Sequence, residues 1–388
     1  MKWLSFLLPA VLAAAPATDG RQEFRTPNGL RVILDERHER PILRLHLLAA
    51  WDRTELSEIQ ADQALRIRSI LGRCGAGGVN RAALDRRLAD RGIRLDFEGA
   101  GDTLAWSMLA DSQDQEDAFE ILGHVVFRPS LGEDSAGRAE IASGVIPEAC
   151  FKASLGFPAE GFPHGGLGME ERFSLHRRLV RPEHSVLVIQ GDLSLPQARQ
   201  LVLLHLGTWS PAPEKPLLGA TPSLKGDCPA PPEGAWVGSP APRGDAKDRA
   251  AQIAVAILLA RVFSQDIQGD ILFEASRPGG DAGPFLFGTR SGGDAEKRIR
   301  ERLEDLCRQG FGQADLVYVR RAWKAEQAGL ALHPEDQLRA LARTALKGDL
   351  GPCIMALRED ELNAALRARL APGALRWLVK KAEALSPK

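Results

Sequence analysis

Histidine is scarce in this chain and its spacing does not suit metal chemistry. There are eight in 388 residues, no two of them four positions apart, and none between His46 and His124. That excludes a helical zinc site in which two imidazoles one turn apart hold the ion. Tyrosine occurs once, as Tyr318. The five cysteines, Cys74, Cys150, Cys228, Cys307 and Cys353, include no C-x-x-C pair, so neither a metal knuckle nor a disulfide framework is indicated. Mostly buried free thiols are expected, with room for one disulfide and at least one thiol left over. Excess charge of one sign is missing too: 50 basic residues face 51 acidic ones. No basic stripe interleaved with aromatics is present, which removes nucleic acid as a partner. No apolar run reaches membrane-spanning length, so no integral membrane segment is expected.

What is present is ample core material, 44% hydrophobic residues, enough for two domains of ordinary size. Residues 1–17 read as a cleavable secretory signal: Lys2, an apolar run Trp3 to Leu12, then Ala15-Pro16-Ala17 as the cleavage site. The expected location is therefore periplasmic or secreted. Residues 18–208 form a first domain. A connector over 209–234 carries seven prolines, which make it extended and semi-rigid. Residues 235–388 form a second domain.

In the first domain Thr26-Pro27-Asn28-Gly29 is turn chemistry between strands, followed by Leu30, Val32 and Leu34 in alternation and a further strand over Ile42 to Ala50. Glu55 to Leu71 has helical spacing, with Gly72 as its stop. Asn80 caps a helix that points Leu84 and Leu88 inward and ends at Gly92. Two alternating strands follow, and Ser112-x-x-Gln115 reads as a capping box. A helical stretch over Glu133 to Phe151 is broken by Pro147. Arg181 to Leu193 supplies a buried strand that turns through Gly191-Asp192 into a helix capped by Ser194. The second domain repeats this order coarsely, with helices over Ala250 to Phe263, Asp294 to Gln309, Asp315 to Ala328, Pro334 to Leu346 and Glu359 to Leu370. Its strands cover Ala235 to Gly238, Ile271 to Ala275, Pro284 to Arg290 and Leu375 to Val379. Sheets with helices to one side give an α+β class.

Two segments carry a family resemblance. Phe24 to Val32 matches F-x-x-x-N-G-L-x-V, and Arg181 to Asp192 matches R-P-x-x-x-x-L-V-x-x-G-D. In this order and separation they resemble the insulinase/pitrilysin family of zinc peptidases, mitochondrial-processing-peptidase-like, over nearly the whole mature chain. The resemblance implies two homologous domains, each a mostly antiparallel sheet with helices on one face, forming a metallopeptidase half-shell. It also implies zinc as cofactor on an H-x-x-E-H helix, whose glutamate activates water. The flanking elements place that motif within residues 63–71, where this chain has Gln63, Leu65, Arg66, Arg68 and Ser69.

No catalytic and no metal-ligating set is therefore expected, and zinc is predicted absent. Glu148 matches the position of the family's third ligand, although a lone carboxylate beside Pro147 reads more simply as a surface or interdomain residue. His164, in Gly161-Phe162-Pro163-His164-Gly165-Gly166, matches a loop near the family's substrate; the plainer reading is a loop histidine bound to backbone. Arg261, in Ala260-Arg261-Val262-Phe263, resembles the segment that precedes a substrate-binding Arg and Tyr, though positions 266–274 hold neither. Arg261 also fits a helix-end cation in a salt bridge.

The resemblance implies a non-catalytic subunit that completes a peptide chamber with a zinc-bearing homologous partner. The competing expectations are a stand-alone peptide-binding or chaperone-like module, and an active peptidase with unorthodox ligands. Export is directly checkable: intact-mass and N-terminal analysis of protein from the native host should give a mature chain starting at Thr18, and a start at Met1 would contradict the leader.

Overall fold

The computed structural model describes residues 20–50, 67–68, 70–100, 103–132, 168–210, 235–239, 245–264, 271–275, 283–289, 295–371 and 373–379. Most of the expected 55–71 helix, the 133–151 stretch, the connector from 211 to 234, Glu148, His164, Cys150 and Cys228 lie outside them.

Six strands build the first sheet: β1 Arg21–Arg25, β2 Arg31–Glu36, β3 Ile42–Ala50, then β5 Arg94–Ala100, β6 Thr103–Asp111 and β8 Ser185–Gly191. Two short strands, β4 Gly75–Ala76 and β7 Pro129–Ser130, pair separately with each other. The spatial order is β1-β2-β8-β3-β6-β5. All its pairings are antiparallel except β2 with β8. Every residue of β8 is buried, consistent with an apolar run that reads as a central strand rather than an alternating one.

One face of this sheet carries α1 Arg81–Asp90, α2 Gln115–Phe127, α3 Met169–Leu179 and α4 Leu195–Leu206, which close a core around Leu45, Leu47, Trp106, Phe119, Leu122 and Val202. Asn80 caps α1 as expected, its side-chain oxygen accepting from Ala83 N at 2.9 Å. The cap before α2 differs. A 3-10 turn over Ser112–Asp114 precedes the helix, and Asp111, not Ser112, accepts from Gln113 N at 2.9 Å. Asp111 is the shorter reach from the end of β6, so the carboxylate takes the first free N–H. Helix α3 was not read from the sequence. Its polar face is long, and only Leu175, Leu179, Arg172 and His176 turn inward.

The hairpin turn does more than reverse the chain. Asn28 Nδ2 donates to the carbonyls of Leu206, at 2.9 Å, and Trp209, at 2.8 Å, tying the β1–β2 turn to the end of α4 across some 180 residues of sequence. At the other end of β8, Gly191 has φ +148, and a Cβ there would stand 2.0 Å from Ile42 O, so only glycine fits.

The second half holds β9 Ala235–Ser239, β10 Leu272–Ala275, β11 Phe285–Thr289 and β12 Arg376–Val379 in the antiparallel order β10-β11-β9-β12. Its helices are α5 Ala246–Ser264, α6 Ala295–Gln309, α7 Gln313–Leu330, α8 Pro334–Lys347, α9 Gly351–Ala356 and α10 Glu359–Leu370. They gather Ile253, Leu258, Phe285, Phe287, Ile299 and Leu366 into a separate core. Arg369 is buried there over the Phe285 ring, 4.5 Å from its centroid, and donates to Gly283 O at 2.6 Å. Burial holds its guanidinium down to about 9.

Helix α8 departs from its neighbours and lies on the other face of the first sheet. Leu338 and Ala342 pack on Ile33, Leu48, Ala105, Val186 and Val188. Beside that seam His46, 3% exposed, has its Nδ1 at 2.9 Å from Ser107 Oγ. Burial, reinforced by the charges of Arg339 and Arg343, pushes its pKa down to about 3. His176 is pushed down to about 4 by burial, although its hydrogen bond to Val126 O opposes the shift.

Two predictions follow from these contacts. Asn28→Ala leaves two part-buried carbonyls without their donor and should cost about 1–3 kcal/mol in urea unfolding of the first half; an unchanged midpoint would remove the clamp. The two histidines are neutral when folded and accept a proton near pH 6.5 when unfolded. Their contribution to stability should therefore be flat above about pH 7 and fall as pH drops below 6.5, by up to about 1.4 kcal/mol per pH unit for each histidine. His46→Gln should remove its share of that slope between pH 6.5 and 5.

Candidate functional site

Strand β5 ends the first sheet, and among the described residues it pairs on one side only, with β6. Its other side offers backbone N–H and C=O groups, the arrangement onto which an extended peptide can add as a further strand. Its side chains alternate. Leu95, Phe97 and Gly99 face the helical layer, and Phe97 packs on its cross-strand partner Trp106 with ring centroids 5.4 Å apart. Arg94, Asp96 and Glu98 take the opposite face, with Arg94 Nε 2.7 Å from Asp96. This charged face keeps the open edge from pairing indiscriminately.

The end of the helix expected over 55–71 lies across the inner side of this strand. Residues 67, 68, 70 and 71 are helical, and Ile67, Ile70 and Leu71 are buried in the core. Arg68 is 3% exposed and its stem covers Gly99, where a Cβ would come within 2.2 Å of Arg68 Cγ. One turn later a Cβ on Gly72 would stand 3.0 Å from the Phe97 ring. A side chain at Gly99 would displace the arginine stem, which occupies the space beside the strand, and one at Gly72 would press on the Phe97 ring.

Next to this contact is a cavity of about 120 Å³, floored by Leu84, Leu95, Phe97 and Trp106. Arg81 borders it, ion-paired with Asp85 at 2.8 Å and donating to Gly72 O at 3.3 Å. Cys74 also lines it, with its Sγ donating to Leu71 O at 3.6 Å. Burial pushes the Cys74 thiol up to about 11, so at neutral pH it is protonated and is neither a nucleophile nor a thiolate ligand.

The residues at this helix end do not fit zinc. The described turn contributes two isoleucines, a leucine and a buried cation, with no imidazole or carboxylate. Among the described residues no group of three or more His, Cys, Asp and Glu is placed to hold a metal. His38 has an acidic neighbourhood, with Nδ1 2.7 Å from Asp192 and Nε2 3.6 Å from Glu36, and the Asp192 hydrogen bond raises its pKa. The nearby Ser194 hydroxyl donates to Gln197 at 2.6 Å, so no Ser-His-Asp relay forms there.

Of the sequence-derived site residues, Glu148 and His164 fall outside the described residues. Arg261 lies at the end of α5, with Nη1 3.4 Å from Asp315 Oδ1 and its guanidinium 4.3 Å from the centroid of the Tyr318 ring. The fold brings the one tyrosine of the chain onto Arg261 from α7, a pairing invisible in a sequence where they stand far apart. The β5 edge itself went unremarked in the sequence. Its signal was the alternation Leu95, Phe97, Gly99, but which strand ends a sheet is set by topology.

No protein-family model matches the chain, and no curated protein matches it. Solved structures do match. A protease from Helicobacter pylori superposes with a TM-score of 0.64 at 13% identity, covering 92% of this chain and 98% of that one. The peptidase M16 inactive domain from Pseudomonas fluorescens gives 0.61 at 16% identity, over 92% and 97%. The periplasmic protease PqqL from Escherichia coli gives 0.61 at 12% identity, over 98% of this chain and 49% of that one. Likeness at such identity speaks to fold alone, and the fold is the α+β fold of the M16, or insulinase/pitrilysin, peptidases.

Proposed function

We propose that this chain is an exported, non-catalytic relative of the M16 peptidases that holds an extended peptide along β5 and completes a peptide chamber with a zinc-bearing homologous subunit. The observation that carries the reading is the conjunction at β5. A strand edge open to peptide lies against a helix end that offers Arg68 where chemistry would need ligands. Main-chain pairing to a free edge supplies affinity without any metal. A buried guanidinium at the same place would oppose a second cation, since like charges at short range in a partly desolvated site repel strongly. The fold likeness to an M16 domain described as inactive supports the same reading.

In this reading the two halves on either side of the proline-rich connector are separate domains, and the chamber is lined by the first. His164 is a proposed peptide contact. Arg261 divides its charge between Asp315 and Tyr318 and is left with a secondary role. The stand-alone peptide-binding module shares the β5 edge and lacks the partner, so the partner is what the experiment must address.

Two measurements test the proposal. Elemental analysis after dialysis without chelator should find no stoichiometric zinc, and about one zinc per chain would sink the non-catalytic assignment. The peptide-cleavage rate of the homologue that retains H-x-x-E-H should rise on titration with this chain and saturate at a fixed ratio, through an interface burying at least about 1,000 Å². A flat rate with no complex on size-exclusion chromatography would leave the stand-alone module.

A further inference from the structure

The seam between α8 and the outer face of the first sheet contains a second cavity, of about 220 Å³, room for roughly seven waters at ~30 Å³ each. It is distinct from the 120 Å³ cavity on the inner side of β5, and the proposed function does not use it. The apolar contacts of Leu338 and Ala342 hold the helix on the sheet, while the cavity beside them is polar. The sheet contributes His46, Thr103 and Glu98, and the helix contributes Asp336, Arg339 and Arg343.

Three of these groups, His46, Arg339 and Glu98, are incompletely used by the protein itself, and Arg343, which has a partner of its own, keeps Nη1 buried without a hydrogen bond. His46 is 3% exposed; one ring nitrogen meets Ser107 and the other has no partner among the described residues. Arg339 Nε is buried without a hydrogen-bond partner, and its ion pair with Asp336 is loose, at 3.6 Å. Glu98 is exposed at the cavity's edge with no partner among the described residues. A cavity lined with polar groups of this kind calls for a polar occupant.

The charges say which one. Two guanidiniums alone would suit any anion, but two carboxylates in the same wall repel a multiply charged one. A neutral molecule with separated charges satisfies both pairs. We propose that this cavity binds a small zwitterion, a free amino acid or dipeptide, with its carboxylate on Arg339 and Arg343 and its ammonium on Glu98 and Asp336. Because Glu98 belongs to the first sheet and the arginines to α8, the ligand bridges the two halves and stabilises their docking.

Thermal unfolding and isothermal titration of the full mature chain at pH 7.5 test this, with alanine and dialanine as probes. N-acetylalanine lacks the ammonium, alaninamide lacks the carboxylate, and inorganic phosphate controls for a plain anion site. Alanine or dialanine should raise the midpoint saturably, while the capped compounds and phosphate should not at the same concentration. Arg343→Gln should weaken binding about tenfold or more, the effect of losing one charge-assisted hydrogen bond. If that variant does not fold, Glu98→Gln, a change at an exposed side chain, carries the same expectation. Absence of any shift with both zwitterions, equal shifts with the capped compounds or phosphate, or undiminished binding by folded variants would overturn the assignment.

Discussion

The structure depends on covering both faces of one strand. All seven residues of β8 are buried, and it pairs with β2 on one side and β3 on the other. Its inward face, Leu187 and Ile189, belongs to the core under the helices of the first half. Its outward face, Val186 and Val188, is covered by Leu338 and Ala342 from the second half. Each apolar side chain of this size is worth about 1.5–3 kcal/mol when removed from water. Without α8 the outward face would stay wet, so the first sheet and the second half are held in one arrangement by the same strand.

That constraint explains which parts of the fold were legible in the sequence. The run Val186 to Ile189 is apolar throughout, and its reading as a central strand needs no knowledge of what covers it. Asn80 before Leu84 and Leu88, and Ser194 before its helix, are local signals and appear where expected; Gln197 completes the second cap by accepting from Ser194 N. Five helices of the second half match to within a few residues for the same reason, while the short α9, Gly351–Ala356, was not read from the sequence. What was not legible is action at a distance. Asn28 reads as turn chemistry, yet its amide also holds Leu206 and Trp209. Helix α8 reads as one more amphipathic helix, and nothing in its spacing says that its apolar stripe crosses to the other half. The Ser112 box is not formed: the chain enters the helix through a 3-10 turn capped by Asp111, which accepts from Gln113 N, a different amide from the one a Ser112 cap would take.

The site follows the same division. The absence of paired histidines is a fact of the sequence, and the proposal that the chain works without zinc starts from it. What takes the place of that chemistry is a matter of packing. Arg68 lies along Gly99 because glycine leaves room beside the strand, and among the described residues β5 ends the sheet because of where the chain's crossovers leave it. In the proposed reading, a strand edge at β5 with a buried arginine beside it is suited to holding peptide rather than cutting it.

The central claim is therefore that peptide is bound by backbone pairing along β5 and without metal. Amide hydrogen exchange with and without an extended peptide, each in the presence and absence of a chelator, tests it most directly. The account predicts added protection over Arg94 to Ala100, the same with chelator as without. Protection confined to other strands, or protection at β5 that the chelator abolishes, would contradict it.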